Sequence, residues 1–178
     1  MKKALMVIMG LSLLLMAGSA FAQTVYTYPA DKPVFSITFP EKWKVELDAE
    51  DQKGMTAMSP DEAAAIEFDI WPVPEDKVKE DVKAAINEEI KGIDEVIAQW
   101  VTDAKFGDAK SVTINEIEFY GVDGTGKDKE SGKDTTVSVD FFTPDGKTLF
   151  VLLYWGTPDA EKTYEKELIA IVQSIKKP

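Results

Sequence analysis

Residues 143–177 read TPDGKTLFVLLYWGTPDAEKTYEKELIAIVQSIKK, and this stretch decides the fold class. It opens on a turn, in which Pro144 presets the first corner and Gly146 supplies positive φ. Leu149 to Trp155 is apolar on both alternations, which predicts a central strand covered on both faces. A helix follows. Thr157 caps it, Pro158 suits its first position, and Asp159 and Glu161 complement the positive end of its dipole. Tyr164, Leu168, Ile171, Val172 and Ile175 make one apolar stripe, and Lys176 and Lys177 suit the C-terminal end.

Working outward, the preceding segments read as strands. Val137, Val139 and Phe141 alternate with Ser138 and Asp140. Ser111 to Ile114 and Glu116 to Gly121 are two strands, or one bent strand interrupted at Asn115, followed by a polar loop from Asp123 to Asp134. Towards the N-terminus, Phe35, Ile37 and Phe39 alternate, Pro40-Glu41-Lys42 turns the chain, and Trp43, Val45 and Leu47 alternate again. Met55 to Ser59 is a short strand, and Ala64 to Trp71 a longer one with Ile66, Phe68 and Ile70 inward and Glu67 and Asp69 outward. Pro72 and Pro74 end it, and Glu75 and Asp76 open a helix. Val78, Val82, Ile86, Ile90, Ile93, Ile97 and Trp100 fall on one face, so the helix is expected to run to about Thr102. Gly92 inside it costs about 1 kcal/mol relative to Ala and marks a bend or a break. There is no internal repeat or linker. The expectation is one α+β domain, its sheet largely antiparallel and flanked by a long middle helix and a C-terminal helix.

The first 22 residues read as a signal peptide. Lys2 and Lys3 precede an apolar run from Ala4, and Ala20-Phe21-Ala22 supplies a small-x-small cleavage site before Gln23. The other reading is an uncleaved anchor, since the run is just long enough to span a bilayer. The polar Gln23-Thr24 beyond the Ala-x-Ala ending favours cleavage, and with no Cys there is no lipid attachment. The expected mature domain is 23–178, periplasmic or secreted.

Composition narrows the chemistry. All 20 basic residues are lysines, against 32 acids, and removing two lysines with the signal leaves a formal charge of −14. Such a surface disfavours nucleic acid and anionic lipid, whose phosphates need clustered cations. His, Cys and Arg are all absent. That excludes disulfides, thiol nucleophiles, Ser-His-Asp triads and the usual zinc or haem ligands, and removes the bidentate guanidinium fork.

With these elements in order, a resemblance emerges. Phe35-Ser-Ile-Thr-Phe-Pro-Glu-Lys-Trp43 resembles the amphipathic strand, proline turn and tryptophan that open PsbP-like domains. Pro144-Asp-Gly146, the apolar strand to Tyr154 and the closing Ile171-Val-Gln-Ser-Ile175 are similar to that superfamily's C-terminal half. The superfamily includes a photosystem II extrinsic subunit, a eukaryotic Ran-binding protein and periplasmic DcrB-like proteins. The resemblance implies a three-layer α/β/α sandwich used for docking to other proteins, generally without catalysis. It brings no catalytic motif, so no site residue is carried over.

Four features invite a chemical reading. Gly121-Val-Asp-Gly-Thr-Gly126-Lys127 satisfies G-x-x-x-x-G-K, but Asp128 stands where a hydroxyl would hold Mg²⁺ and no helix follows. A hairpin loop is the expected structure. In the same region Asp123, Asp128, Glu130 and Asp134 raise weak calcium binding, against interleaved lysines and spacing that fits no EF-hand. A carboxylate-based hydrolase would draw on Glu67, Asp69 or Asp140, whose simpler role is the polar face of a sheet. Finally Trp71, Tyr120, Phe142 and Tyr154 fall on the alternation opposite the clearest core positions of their strands. They line one face as an interaction surface if exposed, and serve the core if the second helix covers them. The function expected is a non-enzymatic interaction module, without catalytic residues, cofactor or metal, that docks to a protein partner. A carrier of an apolar small molecule is the alternative, and a hydrolase the third reading.

Overall fold

The computed structural model describes residues 23–29, 31–47, 54–61, 66–73 and 82–178. The signal-peptide expectation for residues 1–22, and the helix start at Glu75 and Asp76, lie outside them. The described elements are β1 (Gln23–Tyr28), β2 (Phe35–Pro40), β3 (Lys44–Leu47), β4 (Met55–Met58), β5 (Ile66–Pro72), α1 (Val82–Lys91), α2 (Ile93–Ile97), β6 (Val101–Phe106), β7 (Lys110–Ile114), β8 (Ile117–Asp128), β9 (Asp134–Phe142), β10 (Phe150–Gly156) and α3 (Pro158–Gln173). Eight strands form one antiparallel sheet in the order β3-β4-β5-β10-β9-β8-β6, with β7 also paired to β8. β1 and β2 form a separate antiparallel ribbon.

Three layers result. On the first face of the sheet, the ribbon and α3 close over Phe68, Ile70, Phe142, Phe150, Leu152 and Tyr154. Phe35 of the ribbon stands edge-on to both Phe142 and Phe150, with centroids 5.2 and 5.1 Å away. The α3 stripe of Tyr164, Leu168, Ile171, Val172 and Ile175 is buried as its spacing requires, and Thr157 caps the helix by accepting from the Ala160 N–H at 3.2 Å. On the second face, Ile86, Ile93 and Ile97 of α1 and α2 cover Val122, Val137, Val139, Phe141, Val151 and Leu153. β10, buried along its whole length, lies between the two cores. This is an α+β sandwich with a C-terminal helix. No helix among the described residues is long and apolar enough to cross a membrane.

Two expectations need correction, and the structure decides two further points. The middle helix does not reach Thr102: it breaks at Gly92, ends at Ile97, and becomes β6 at Val101, where a Val-Thr pair favours extended chain. The Gly121–Lys127 stretch is no hairpin loop, and the polar loop expected from Asp123 begins six residues later, because β8 continues to Asp128 between β9 and β6. Gly124 and Gly126 are required there by close neighbours, since an added Cβ would meet Phe106 at 2.7 Å and Val101 at 2.5 Å. Of the two readings around Asn115 the structure has two strands: Asn115 and Glu116, at φ 47° and 64°, make the two-residue turn between β7 and β8. Lastly, β2 and β3, adjacent across the Pro40 turn, enter different sheets.

Candidate functional site

Antiparallel register assigns every strand residue to a face, and it divides the four singled-out aromatics. Trp71, Val151, Phe141 and Tyr120 stand in one cross-strand row on the second face. Phe142 belongs to the neighbouring row on the first face, with Phe150 and Phe119, and Tyr154 pairs with Phe68 on that same face. Phe142 and Tyr154 are therefore core residues beneath the ribbon and α3, with 0% and 2% of their surface exposed. Tyr120 is half-buried beneath the Lys83 ammonium, 5.6 Å from its ring. Trp71 stays half-buried at the edge of the second core.

Trp71 borders a groove of about 460 Å³ on the second face, between the β3–β4–β5 end of the sheet and the end of α2. Its walls include Trp71, Trp100, Val96 and Leu47, and Asp69 and Thr56 contribute a polar patch. Trp100 stands just beyond α2, its ring 5.5 Å from that of Trp155 and its carbonyl accepting from the Lys129 N–H at 2.8 Å. These contacts hold the indole in place. Asp69 accepts from Thr56 Oγ1 at 2.6 Å across the β4–β5 pair. Burial pushes its carboxyl above the usual range, against the lowering effect of that hydrogen bond. Glu67, two residues along the same face, is raised by burial first and then by Asp69, Glu130 and Asp128. Among the described residues neither carboxylate has an ion pair and no lining residue is basic. The sequence had marked Trp71 and Asp69, but nothing in its periodicity identified Trp100 as a wall. Continuing the helix through it placed it in a buried stripe.

A second polar cluster lies on the first face. Asp140 and Asp123 flank Ser138, whose hydroxyl donates to Asp123 Oδ1 at 2.9 Å, with Asp140 Oδ2 at 3.5 Å. Gly121, directly opposite Asp140, leaves the room that the Asp140 carboxyl fills. A narrow cleft of about 10 Å³ lies beside them. Asp140 keeps a little accessible surface, yet protein surrounds its carboxyl, and that burial, reinforced by Asp123, raises it from about 3.8 to about 7. Tyr154 Oη approaches Glu161 Oε1 of α3 at 3.4 Å, and burial raises both groups. Asp140 is thus an interior carboxyl rather than part of a solvated polar face.

The carboxylates considered for hydrolysis do not converge, because Glu67 and Asp69 lie on the second face and Asp140 on the first. The four acids considered for calcium are also spread apart. Asp123 turns to Ser138, Asp128 accepts from the Ser131 N–H at 2.7 Å, Glu130 sits in the turn, and Asp134 pairs with Lys127 at 3.0 Å. Among the described residues no three acids are grouped to hold a metal ion.

No protein-family model matches the sequence, and no curated protein does. Solved structures do match. Cyanobacterial PsbP (CyanoP) from Synechocystis sp. PCC 6803 aligns over 92% of this chain and 98% of its own, with a TM-score of 0.57 and 16% identity. The Saccharomyces cerevisiae Ran-binding protein Mog1p covers 88% and 95%, at 0.56 and 9%. LpqN of Mycobacterium tuberculosis, involved in cell envelope biogenesis, covers 91% and 88%, at 0.53 and 14%. The chain has the Mog1p/PsbP-like fold, as the resemblance in its sequence implies.

Proposed function

We propose that this chain is exported, loses residues 1–22, and works as a non-enzymatic binding module that docks a protein partner through the Trp71–Trp100 groove. One observation carries the docking site. Most large aromatics of the sheet are packed into the two cores, and Tyr120 and Phe106 lie half-buried at the edge of the second, whereas here two half-buried indoles border a groove of about 460 Å³. Half-exposed tryptophans beside a concavity are typical of recognition surfaces. The residue types support a role without catalysis, since the chain lacks His and Cys and its semi-buried carboxylates stand on opposite faces. The groove suits a partner better than an apolar small molecule, because an apolar occupant would desolvate Asp69 in its wall with only the Thr56 hydrogen bond to offset the cost.

The test is a photo-crosslinking residue at Gln99, on the groove wall, compared with one at the exposed Lys177. Expressed in its own cell, the Gln99 form should capture a discrete protein that the Lys177 form does not. Identical adduct patterns from the two positions would refute the reading. Export is tested by the mass of the purified chain, which should begin at Gln23.

A further inference from the structure

The chemistry of the groove says what part of a partner it takes. We propose that it seats a lysine or arginine side chain from a basic, extended segment of the partner protein, held between the two indoles with its charge against Asp69. The inference rests on the docking reading above and makes it specific.

Three features converge. The first is the pair of indole walls. A cation over a tryptophan face gains roughly 0.5–1 kcal/mol when exposed and about 2 kcal/mol or more when desolvated. Trp100 is preorganised for this by its ring contact with Trp155 and by the Lys129 N–H bond to its carbonyl. The second is Asp69. Thr56 Oγ1 donates to one carboxylate oxygen, Oδ1, and fixes its rotamer, leaving Oδ2 for a further donor. Trp71 stands two residues further on the same strand face, so indole and carboxylate lie side by side. The third is charge. Asp69 and Glu46 line the groove, Glu67 continues the acidic row, and among the described residues no lining residue is basic. Glu46 is already engaged by Lys44 at 2.8 Å on the exposed rim and contributes little.

The alternatives fit less well. An anionic occupant would meet two carboxylates in a chain of formal charge −12. An apolar one would leave Asp69 buried beneath it unpaired. A cation with an aliphatic stem satisfies both parts of the groove, since the methylenes lie along the indoles while the charged end reaches the carboxylate.

The experiment uses the mature chain with tetra-arginine and tetra-lysine peptides as probes, and tetra-glutamate as the opposite charge. Indole N–H resonances are followed by NMR and affinities by calorimetry. The expected result is movement of the Trp71 and Trp100 signals, with Trp43, in the core of the other face, unmoved. Binding should weaken at least tenfold in Asp69→Asn and in Trp100→Leu, and remain unchanged in Glu116→Gln, an exposed acid at the β7–β8 turn. The Trp43 signal, a probe of the first core, should keep its position in both groove variants and so show that they are folded. Equal weakening by Glu116→Gln, or unchanged binding in Asp69→Asn, would reduce the effect to general attraction and overturn the proposal. Free arginine binding as tightly as the tetrapeptide would make the occupant a small organic cation and overturn the protein segment. If the Gln99 crosslink captures a partner that tetra-arginine does not displace, docking stands and the basic side chain falls.

Discussion

The two faces of the sheet carry similar residue types and use them differently. Each combines aromatics with semi-buried carboxyls, Tyr154 and Phe142 with Asp140 on one, Trp71 and Trp100 with Asp69 on the other. On the first face a two-stranded ribbon and a 16-residue helix close over everything, leaving about 10 Å³ beside Asp140. On the second face α2 is five residues long, and the groove of about 460 Å³ lies beside its end. The difference teaches that a half-buried carboxyl beside aromatics is not in itself a site. What separates the two is whether the layer above leaves room for an occupant.

Truncating one aromatic on each face gives the largest contrast. Phe142→Ala empties a fully enclosed position stacked between Phe119 and Phe150, and should cost about 3–5 kcal/mol in urea unfolding. Trp71→Ala, at a half-buried wall, should cost no more than about 1–2 kcal/mol. Equal losses would mean that the groove is as tightly packed as the core.

Next comes the pH dependence of Asp140. A carboxyl raised to about 7 in the folded chain keeps a proton that the unfolded chain has already released. Between about pH 4 and 7 the native state therefore holds more protons, and stability falls as pH rises. The ceiling is about 4 kcal/mol at 1.36 kcal/mol per pH unit, and residual solvent contact lowers it to about 3. Unfolding free energies measured from pH 4 to 8 should show this decline in the wild type and a flatter profile in Asp140→Asn. An unchanged slope would show that Asp140 ionises freely. Gly121→Ala presses a methyl group onto the same carboxyl and should cost about 2 kcal/mol in urea unfolding. The double variant with Asp140→Gly should recover most of the loss.

The sequence made the first face easier to read than the second. The α3 stripe, its Thr157 cap and the doubly buried β10 were all legible, because periodicity and capping are local signals. The division of the aromatics was not. In strands covered on both faces each alternation is apolar, so Phe141 and Phe142 are both core, and face assignment requires the cross-strand register. β6 was hidden for a related reason. Val101 extends the apolar spacing of the preceding helix, and only Gly92, a signal that did register, betrays that the helix is weak. Asn115 carried a usable signal, since Asn tolerates the left-handed region that the β7–β8 turn requires, and its side chain also ties that turn to the Gln173 and Ile175 carbonyls at 2.7 and 2.8 Å.

The smallest expected effect is the most discriminating. Asp69→Asn keeps an acceptor for Thr56 Oγ1 and removes a charge whose formation burial penalises. Because the folded pKa is raised, the wild type is disfavoured once pH exceeds the ordinary carboxyl range. The variant should therefore be more stable at neutral pH by a few tenths of a kcal/mol, about 1 at most given the solvent beside it, with the gain vanishing near pH 4. A carboxylate kept for structure would show the reverse, a loss on replacement. A carboxylate kept for a partner should cost stability while the groove is empty and repay it on binding, as expected where function and stability compete. Thermal unfolding of the two forms at pH 4 and 7.5 distinguishes these cases. Lower stability for Asp69→Asn at neutral pH would mean that the charged Asp69 stabilises the empty fold, and would remove the argument that it is kept for a partner.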